Sequence, residues 1–320
     1  MNCLMGTARF WRLSSARVVA FAPSTRSSKS SGGDSDPGNE SDPETFLWIK
    51  KHNYRDNLNA LDSVRFRRPA AEDFQHLDVG CGPGNFTTEA LLPRLRPCRR
   101  LVATDKSAAM VAYAREHFGG DQDVVYDVLD IECGDNDAER IVDKYGPFDR
   151  VYSFMAFHYV RNLEQAYRNV FLCLKDGGEF LTLSFTGSAI TDVWYRLFNT
   201  EEWKAFLPDP KHVFSERFCY GTPIPEERIA SEEQLAIGAA GMELVSCRMH
   251  DIFWTMPDLD SWLDCYVPFF RLDAQVPEEK RGAFLDVCRS VLREATSATP
   301  EGVRLRLSVI VVHTQKPCRR

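Results

Sequence analysis

Three alternating glycines beside acidic residues form the segment of this 320-residue chain whose residue types and spacing are best suited to chemistry. Gly80, Gly82 and Gly84 follow a short apolar run that ends at Val79. Glycine lets a backbone turn sharply and lie against a ligand, because no Cβ intervenes. Apolar residues recur at helical spacing after the turn, so the same ligand would meet a helix N-terminus. The segment predicts a strand–turn–helix unit with a ligand at the carboxyl end of the strand.

Two acids indicate which ligand suits this turn. The dinucleotide signature G-x-G-x-x-G holds a pyrophosphate, but the spacing here is G-x-G-x-G. Asp78 would repel a pyrophosphate and suits a cationic amino group. Asp105 ends the next predicted strand, where an acid can accept hydrogen bonds from ribose hydroxyls. An amino-acid end joined to a ribose points to S-adenosylmethionine, and the alternative is a glycine turn of structural use only.

Further positions complete the predicted cofactor site. Asp130 follows the third predicted strand and can accept the exocyclic amine of adenine while Ile131 packs on the ring, although Asp127 is an alternative for this role. Met110 either touches the ribose or adenine face or is a core methionine. The residues expected to contact the cofactor are Asp78, Gly80, Cys81, Gly82, Gly84, Asp105, Lys106, Met110, Asp130, Ile131 and Ser153.

A histidine and a phenol follow the fourth predicted strand. His158 and Tyr159 offer two hydrogen-bond donors to an anionic oxygen, and a purely structural histidine is the alternative. Methyl transfer from a sulfonium is an in-line displacement, so it needs alignment more than acid–base help. A carboxylate acceptor is already ionised near pH 7 and needs only donors that orient it. The sequence contains no evident Ser-His-Asp set or metal-ligand cluster, which is consistent with such an acceptor and predicts no metal.

Aromatic residues are dense in the second half of the chain. Ligand pockets are largely apolar with few polar anchors, so we expect some of these side chains, Trp194 among them, to line the acceptor cavity, although most are expected in the core. They are Trp194, Tyr195, Phe198, Trp203, Phe206, Phe214, Phe218, Tyr220, Phe253, Trp254, Trp262, Tyr266, Phe269 and Phe270.

Alternating strand and helix patterns must position these residues. Strands are predicted at 74–79, 101–105, 123–129, 148–154, 179–185, 242–249 and 303–313. Helices are predicted at 44–66, after the glycine turn, at 107–118, 136–145, 162–174 and 231–240, and twice within 257–296. This order predicts an α/β fold with a doubly wound, mostly parallel seven-stranded sheet. The alternation through Arg304 and Arg306 predicts that the last strand is an antiparallel edge strand.

Composition limits the classes of function. With 44% hydrophobic residues the chain can bury a sizeable core, and its net charge of −7 does not suggest a nucleic-acid binder. Ten scattered cysteines without a C-x-x-C pair favour a reducing compartment over a disulfide framework or a zinc site. No apolar run reaches the roughly 20 residues of a membrane span. We therefore expect a small-molecule substrate and no membrane partner, and the oligomeric state is left open.

The first residues differ from the rest in composition. Residues 1–33 contain no acid but several arginines and many serines, as in a mitochondrial transit peptide. A disordered leader of a cytoplasmic protein is an equal alternative. We expect residues 1–43 to lie outside the fold and residues 44–320 to form one domain, with a core at 74–185 and insertions at 188–228 and 257–296 that cover the acceptor.

Taken together, these residues resemble the class I S-adenosylmethionine-dependent methyltransferases. The resemblance spans roughly 74–185 and rests on LDVGCGPGN, VATDKSAAMVAYA, VLDI and FDRVYSFMAFHYV. The runs SFMAFHYVRNLEQAYRNVFLCLKDGGEF and SWLDCYVPFFRLD are similar to arthropod juvenile hormone acid methyltransferases. That resemblance implies O-methylation of a small apolar carboxylic acid such as farnesoic or juvenile hormone acid.

This chain departs from the hormone-acid family at three points. The family carries a His-Trp pair beside the substrate carboxylate, where this chain has His158-Tyr159. The family also has a glutamine in its N-terminal helix, where this chain has Arg55 or Asp56. Its N-terminal segment is short, whereas 43 residues precede the predicted domain here. A methyltransferase for another acceptor, such as an acyl carrier or a small polar acid, is the alternative of the same class. A catalytically silent protein that binds the cofactor is the alternative of a different class.

Overall fold

A computed structural model describes residues 43–207, 209–210, 215 and 224–318. Its strands are β1 Gln75–Val79, β2 Arg100–Asp105, β3 Val124–Val128, β4 Phe148–Phe154, β5 Leu174–Ser188, β6 Glu243–Met256, β7 Thr296–Thr299 and β8 Gly302–Gln315. Its helices are α1 Pro43–Asp62, α2 Leu92–Leu95 with a π-helical segment Thr87–Leu91 before it, α3 Ala108–Phe118, α4 Asp135–Tyr145, α5 Leu163–Cys173, α6 Ala189–Phe198, α7 Glu226–Ala239, α8 Leu259–Phe269 and α9 Glu278–Ala295.

The strands form one sheet in the order β3-β2-β1-β4-β5-β8-β6, with β7 paired to β8 outside this path. The first five strands of the path are parallel, and β8 is antiparallel to both β5 and β6. The predicted doubly wound, mostly parallel sheet is confirmed. Because the chain leaves β1 in one direction and returns at β4 on its other side, β1 and β4 flank the crevice where such sheets bind ligands.

The prediction that the last strand lies at the edge is wrong, although its antiparallel direction is confirmed. β8 lies between β5 and β6, and β6 is the edge strand at this end of the path. Arg304 and Arg306 are exposed while Leu305 and Leu307 are buried. The alternation of arginine and leucine therefore indicates that one face of β8 is solvent-exposed near the start of the strand. A strand in the interior of a sheet can have such a face, so alternation does not distinguish it from an edge strand.

The predicted helix at 44–66 is shorter in the structure, because α1 ends at Asp62. Phe66 instead places its ring 6.1 Å from that of Tyr152 and 5.3 Å from that of His313. β5 and β6 are longer than predicted and extend to Ser188 and Met256. The extension of β6 contains Trp254, whose indole donates to Asp56 of α1.

Two apolar cores cover the faces of the sheet. One core contains residues of α1, α3, α6, α8 and α9, and the other contains residues of α4, α5 and α7. All described residues belong to one compact unit. The predicted leader at 1–43 lies almost wholly outside the described residues, so the division of the chain at residue 43 stays a prediction. Within the described part, no helix is both long and apolar enough to cross a membrane.

Candidate functional site

The glycine turn follows β1 as predicted. The N–H groups of Gly80 and Cys81 both donate to the carbonyl oxygen of Thr104 on β2, at 2.7 and 2.9 Å. Gly80 has a φ of +80°, and a Cβ on it would lie 2.3 Å from the Cβ of Ala156. This glycine therefore lets the end of β4 approach the turn closely. Cys81 is buried, as expected of a small packed residue.

The far end of the turn is held by a phenol from β3. A Cβ on Gly84 would lie 2.8 Å from that of Ala114 and 2.9 Å from the hydroxyl of Tyr126. The Tyr126 hydroxyl also lies 2.5 Å from that of Thr88. Burial raises the pKa of Tyr126, so its hydroxyl stays protonated. Two of the three glycines thus serve close packing within the chain, which leaves the middle of the turn to face a ligand.

Asp105 links the turn to α3. One carboxylate oxygen accepts the N–H of Gly82 and the other accepts the N–H of Ser107, both at 2.9 Å. A carboxylate oxygen can accept more than one hydrogen bond, so ribose hydroxyls can bind the same carboxylate. Asp78 is 2% exposed and accepts a hydrogen bond from the Thr87 hydroxyl at 2.6 Å. A bound ammonium would share Asp78 with that hydroxyl.

Asp127 in β3 and Asp130 just after it have different surroundings. Asp127 is buried and accepts hydrogen bonds from Lys144 and Tyr145, both at 2.8 Å. Burial opposes ionisation, but these bonds hold the pKa of Asp127 below its usual value. Asp130 is partly exposed and accepts the backbone N–H of Glu132 at 3.1 Å. The network around Asp127 leaves Asp130 as the better candidate for the adenine amine.

The remaining predicted cofactor residues differ in exposure. Met110 and Ile131 are buried, at 4% and 7% exposure. Ser153 is fully buried, and its hydroxyl donates to the carbonyl oxygen of Val79 at 2.8 Å, so its side chain ties β4 to β1. Lys106 is exposed. The cofactor roles of these side chains stay predictions.

His158 and Tyr159 lie in a single 3₁₀ turn directly after β4. The chain enters this turn through Met155, whose φ of 53° is unusual for a residue with a side chain and marks local strain. The two rings are 4.2 Å apart, and the ring of His158 lies 5.0 Å from that of Phe185 on β5. The predicted pair is therefore adjacent at the carboxyl end of a central strand.

The electrostatics of Tyr159 connect the cofactor side of the site to α8. Burial raises the pKa of Tyr159, and the carboxylate of Asp105 raises it further. Burial also raises the pKa of Tyr266 on α8, with contributions from Cys265 and Tyr159. Both phenols are therefore protonated at neutral pH and can donate hydrogen bonds. Tyr266 stood in the sequence only as one aromatic residue among many.

A small cavity of about 10 Å³, partly open to solvent, adjoins His158. Its lining residues are Phe157, His158, Ser184, Phe185, Thr186, Ser215 and Ile229. The lining mixes apolar rings with hydroxyl groups. A space of this size has room for about one water molecule, so by itself it does not hold an organic acceptor.

Aromatic side chains of α1, α6 and α8 form a cap, which we define as Phe46, Trp194, Trp262, Tyr266, Phe269 and Phe270. The ring pairs in contact, by centroid distance, are Trp194–Phe270 (5.5 Å), Trp262–Tyr266 (5.4 Å), Tyr266–Phe270 (6.2 Å) and Phe46–Phe269 (4.7 Å). Trp194 is only 1% exposed. It packs within the cap, so its predicted contact with the acceptor stays a prediction. Phe214, Phe218 and Tyr220 lie outside the described residues.

Helix α1 crosses this end of the sheet. The indole of Trp254 on β6 donates to Asp56 at 2.9 Å, and the hydroxyl of Tyr54 donates to Glu89 at 3.0 Å. Asp56 is therefore engaged, whereas Arg55 is exposed. Sequence reasoning overlooked Asn53 and Asn57, whose spacing of four residues on a helix would have placed two amides on one face. Both are buried.

The donor set fits an S-adenosylmethionine cofactor. The Asp105 carboxylate meets the glycine turn and can bind a ribose, and Asp130 follows β3 near the buried Ile131. Buried side-chain amides with unpartnered polar atoms occur on α1 and at the turn, and a polar ligand would satisfy them. In the described part of the chain, no group of three or more His, Cys, Asp or Glu side chains is arranged to hold a metal ion.

Comparisons with known proteins agree with this geometry. Residues 77–180 match a family described as a methyltransferase domain. The chain is 31% identical over 248 residues to juvenile hormone acid O-methyltransferase of Bombyx mori. This match covers 76% of this chain and 85% of that protein. It is 32% identical over 169 residues to the Drosophila melanogaster protein of the same name, and the match spans 55% of that protein and 52% of this chain.

A crystal structure of a candidate methyltransferase from Bacillus halodurans C-125 has a similar fold, with a TM-score of 0.50 at 19% identity. The match covers 82% of this chain and 99% of that one. At this identity the likeness concerns the fold alone.

Proposed function

Since the chain belongs to the class I S-adenosylmethionine-dependent methyltransferases, in the family of the juvenile hormone acid O-methyltransferases, we propose that it methylates the carboxylate of a small apolar acid. S-adenosylmethionine is the methyl donor of this family and supplies an electrophilic methyl group on a sulfonium. The residues of this chain must hold the donor, orient one acceptor oxygen and keep water out.

The cofactor would lie over the glycine turn. In this proposal Asp105 holds the ribose hydroxyls, Asp130 accepts the adenine amine, and the backbone around Gly82 lies against the amino-acid end. The support is geometric, because Asp105 already orients the turn through the N–H of Gly82 at 2.9 Å. A cofactor bound there would meet a carboxylate that needs no rearrangement, which lowers the entropic cost of alignment.

The acceptor would lie beside Tyr159. A carboxylate is ionised near pH 7, so the site needs no base to remove a proton. It needs donors that orient one oxygen while the other attacks the methyl carbon. Tyr159 and Tyr266, both with raised pKa values, stay protonated and remain donors over the whole neutral range. His158 is the second predicted donor beside Tyr159.

The observation that carries the proposed acceptor class is the aromatic cap next to these phenols. Six aromatic side chains of α1, α6 and α8 pack together, and Trp194, Trp262, Tyr266 and Phe269 are each less than 9% exposed. An acceptor that lies against this buried cap would meet an apolar environment, which favours an apolar chain attached to the carboxylate. Juvenile hormone acid, the acid in the names of the two relatives, has this chemistry.

A panel of acids of graded polarity tests the proposal. The purified chain is incubated with methyl-labelled cofactor and with farnesoic acid, juvenile hormone acid or citrate, and the products are identified by mass spectrometry. We expect the methyl esters of the two apolar acids. Methylation of citrate with none of the apolar acids would refute the proposed acceptor. Binding of the cofactor without any product across the panel would favour a catalytically silent binding protein.

A smaller, more polar acid is the second candidate acceptor. The cavity beside His158 is lined by three hydroxyl-bearing residues, Ser184, Thr186 and Ser215. Because the space beside them has room for about one water molecule, these hydroxyl groups could bind only a single polar end of an acceptor that lies mainly outside the cavity. The same panel separates the two candidates, since only the polar acids would then be esterified.

We propose a reducing compartment for the protein. All eight described cysteines are free thiols, which supports the cytoplasm or the mitochondrial matrix. The composition of residues 1–33 leaves both compartments open, and imaging of the full chain with a C-terminal tag would decide between them.

A further inference from the structure

Three buried asparagines near the glycine turn have polar atoms without a hydrogen-bond partner. Asn53 and Asn57 on α1 are 3% and 1% exposed, and the Oδ1 atom of each is unpartnered. Asn85, directly after the turn, is 1% exposed; its Oδ1 has no hydrogen-bond partner, and its side-chain amide interacts with the Tyr54 hydroxyl of α1. Buried polar groups without partners are costly and rare in native proteins. A polar ligand bound between α1 and the turn would satisfy these three side chains.

Contacts of the neighbouring residues on α1 show which elements lie beside this part of the helix. Within the same turns of the helix, the ring of Tyr54 is 5.3 Å from that of Phe86, which immediately follows Asn85. On the other side, the neighbouring residue Asp56 accepts the indole N–H of Trp254 on β6. The middle of α1 therefore bridges the glycine turn and β6.

Helix α1 contacts β5 directly and reaches the end of β4 through Phe86. Phe86 contacts Phe154, the last residue of β4, at 5.4 Å between ring centroids. Trp254 contacts Phe185 near the end of β5 at 5.6 Å. A ligand in the crevice between β1 and β4 would therefore lie close to α1 as well as to Asn85.

The chemistry of the unpartnered atoms selects between the two ligands of the site. A carboxylate acceptor offers only lone pairs, so it cannot satisfy an amide oxygen. The amino-acid end of S-adenosylmethionine carries an ammonium with three donors and a carboxylate with two acceptor oxygens. Two amide oxygens on α1, together with an amide at the turn that both donates and accepts, match this zwitterion.

We propose that Asn53, Asn57 and Asn85 bind the amino-acid end of the cofactor. The oxygens of Asn53 and Asn57 accept hydrogen bonds from the ammonium, and the amide nitrogen of Asn85 donates to the carboxylate. This assignment extends the role given to Asp78, whose carboxylate already accepts the Thr87 hydroxyl. It rests on the identity of the cofactor and does not depend on the acceptor.

Calorimetry with two ligands tests the proposal. S-adenosylhomocysteine carries the amino-acid end, whereas 5′-methylthioadenosine lacks it and keeps the ribose and adenine. Asn53→Leu and Asn57→Leu preserve the side-chain shape and remove the amide. Asn59→Leu, on the exposed face of the same helix, is the matched control.

We expect each buried variant to weaken S-adenosylhomocysteine about tenfold, since each loses a hydrogen bond to a charged group. The affinity for 5′-methylthioadenosine should stay within about twofold, and it also reports that the variant is folded. The control should bind both ligands like the wild type. Unchanged affinity for S-adenosylhomocysteine in both buried variants would refute the proposal, as would an equal loss for the two ligands. Neither result depends on which acid is methylated.

Discussion

Replacing Asp105 by asparagine should weaken cofactor binding by about 2 kcal/mol. Both carboxylate oxygens of Asp105 accept backbone N–H groups, from Gly82 and Ser107, at 2.9 Å each. Asparagine offers one carbonyl oxygen, so its NH₂ group must face one of these N–H groups, donor against donor. A hydrogen bond to a charged group contributes about 1.5–3 kcal/mol. Because Asp105 is partly exposed, we take about 2 kcal/mol, which corresponds to roughly thirtyfold in affinity.

Calorimetric titration with S-adenosylhomocysteine measures this effect. Asp143→Asn is the matched control, because Asp143 is exposed on α4 and its substitution by asparagine removes the same charge. Thermal unfolding of each variant separates a folding defect from a binding defect. An affinity of Asp105→Asn within about twofold of the control would show that this carboxylate does not organise the cofactor site.

Further predictions concern stability, the acceptor and the adenine. Burial and the nearby Arg150 lower the pKa of His76 to about 3, so the free energy of unfolding should fall as the pH drops from 6.5 towards 3, by up to roughly 5 kcal/mol. In acid denaturation, His76→Gln should lose this contribution to the pH dependence of the free energy of unfolding. A variant with the same pH dependence as the wild type would contradict the reasoning. Tyr159→Phe should lower kcat/KM for the apolar acid at least tenfold with unchanged affinity for S-adenosylhomocysteine, and equal loss of both would contradict a role at the acceptor. Asp130→Ala should weaken S-adenosylhomocysteine about fivefold to tenfold, and unchanged calorimetric affinity would remove it from the adenine site.

Local patterns predicted the ligand-binding half of the fold. The apolar run before Gly80 and the helical spacing after it predicted the first strand–turn–helix unit, and β1 to β5 follow the predicted order. Alternation of apolar and polar residues does not distinguish an internal strand with one solvent-exposed face from an edge strand, so the predicted edge position of β8 is wrong. Its position depends on pairing with β5 and β6 across long stretches of chain.

The candidate site was predicted unevenly for the same reason. Asp127 and Asp130 are indistinguishable as acids in the sequence, and only the positions of Lys144 and Tyr145 on α4 show that Asp127 is engaged. Asn53 was overlooked because an asparagine on a helix is normally solvent-exposed. Its burial results from packing between α1, the glycine turn and the far end of the sheet, which no local pattern encodes.

The most direct test of the account is the chemical position of a transferred, isotopically labelled methyl group. The chain is incubated with methyl-labelled S-adenosylmethionine and farnesoic acid, and the product is treated with mild base. A carboxyl methyl ester releases the label as methanol and regenerates the free acid, and this is the predicted result. Label that resists base, or that is absent from the acid while the cofactor is bound, would contradict carboxylate methylation by this site.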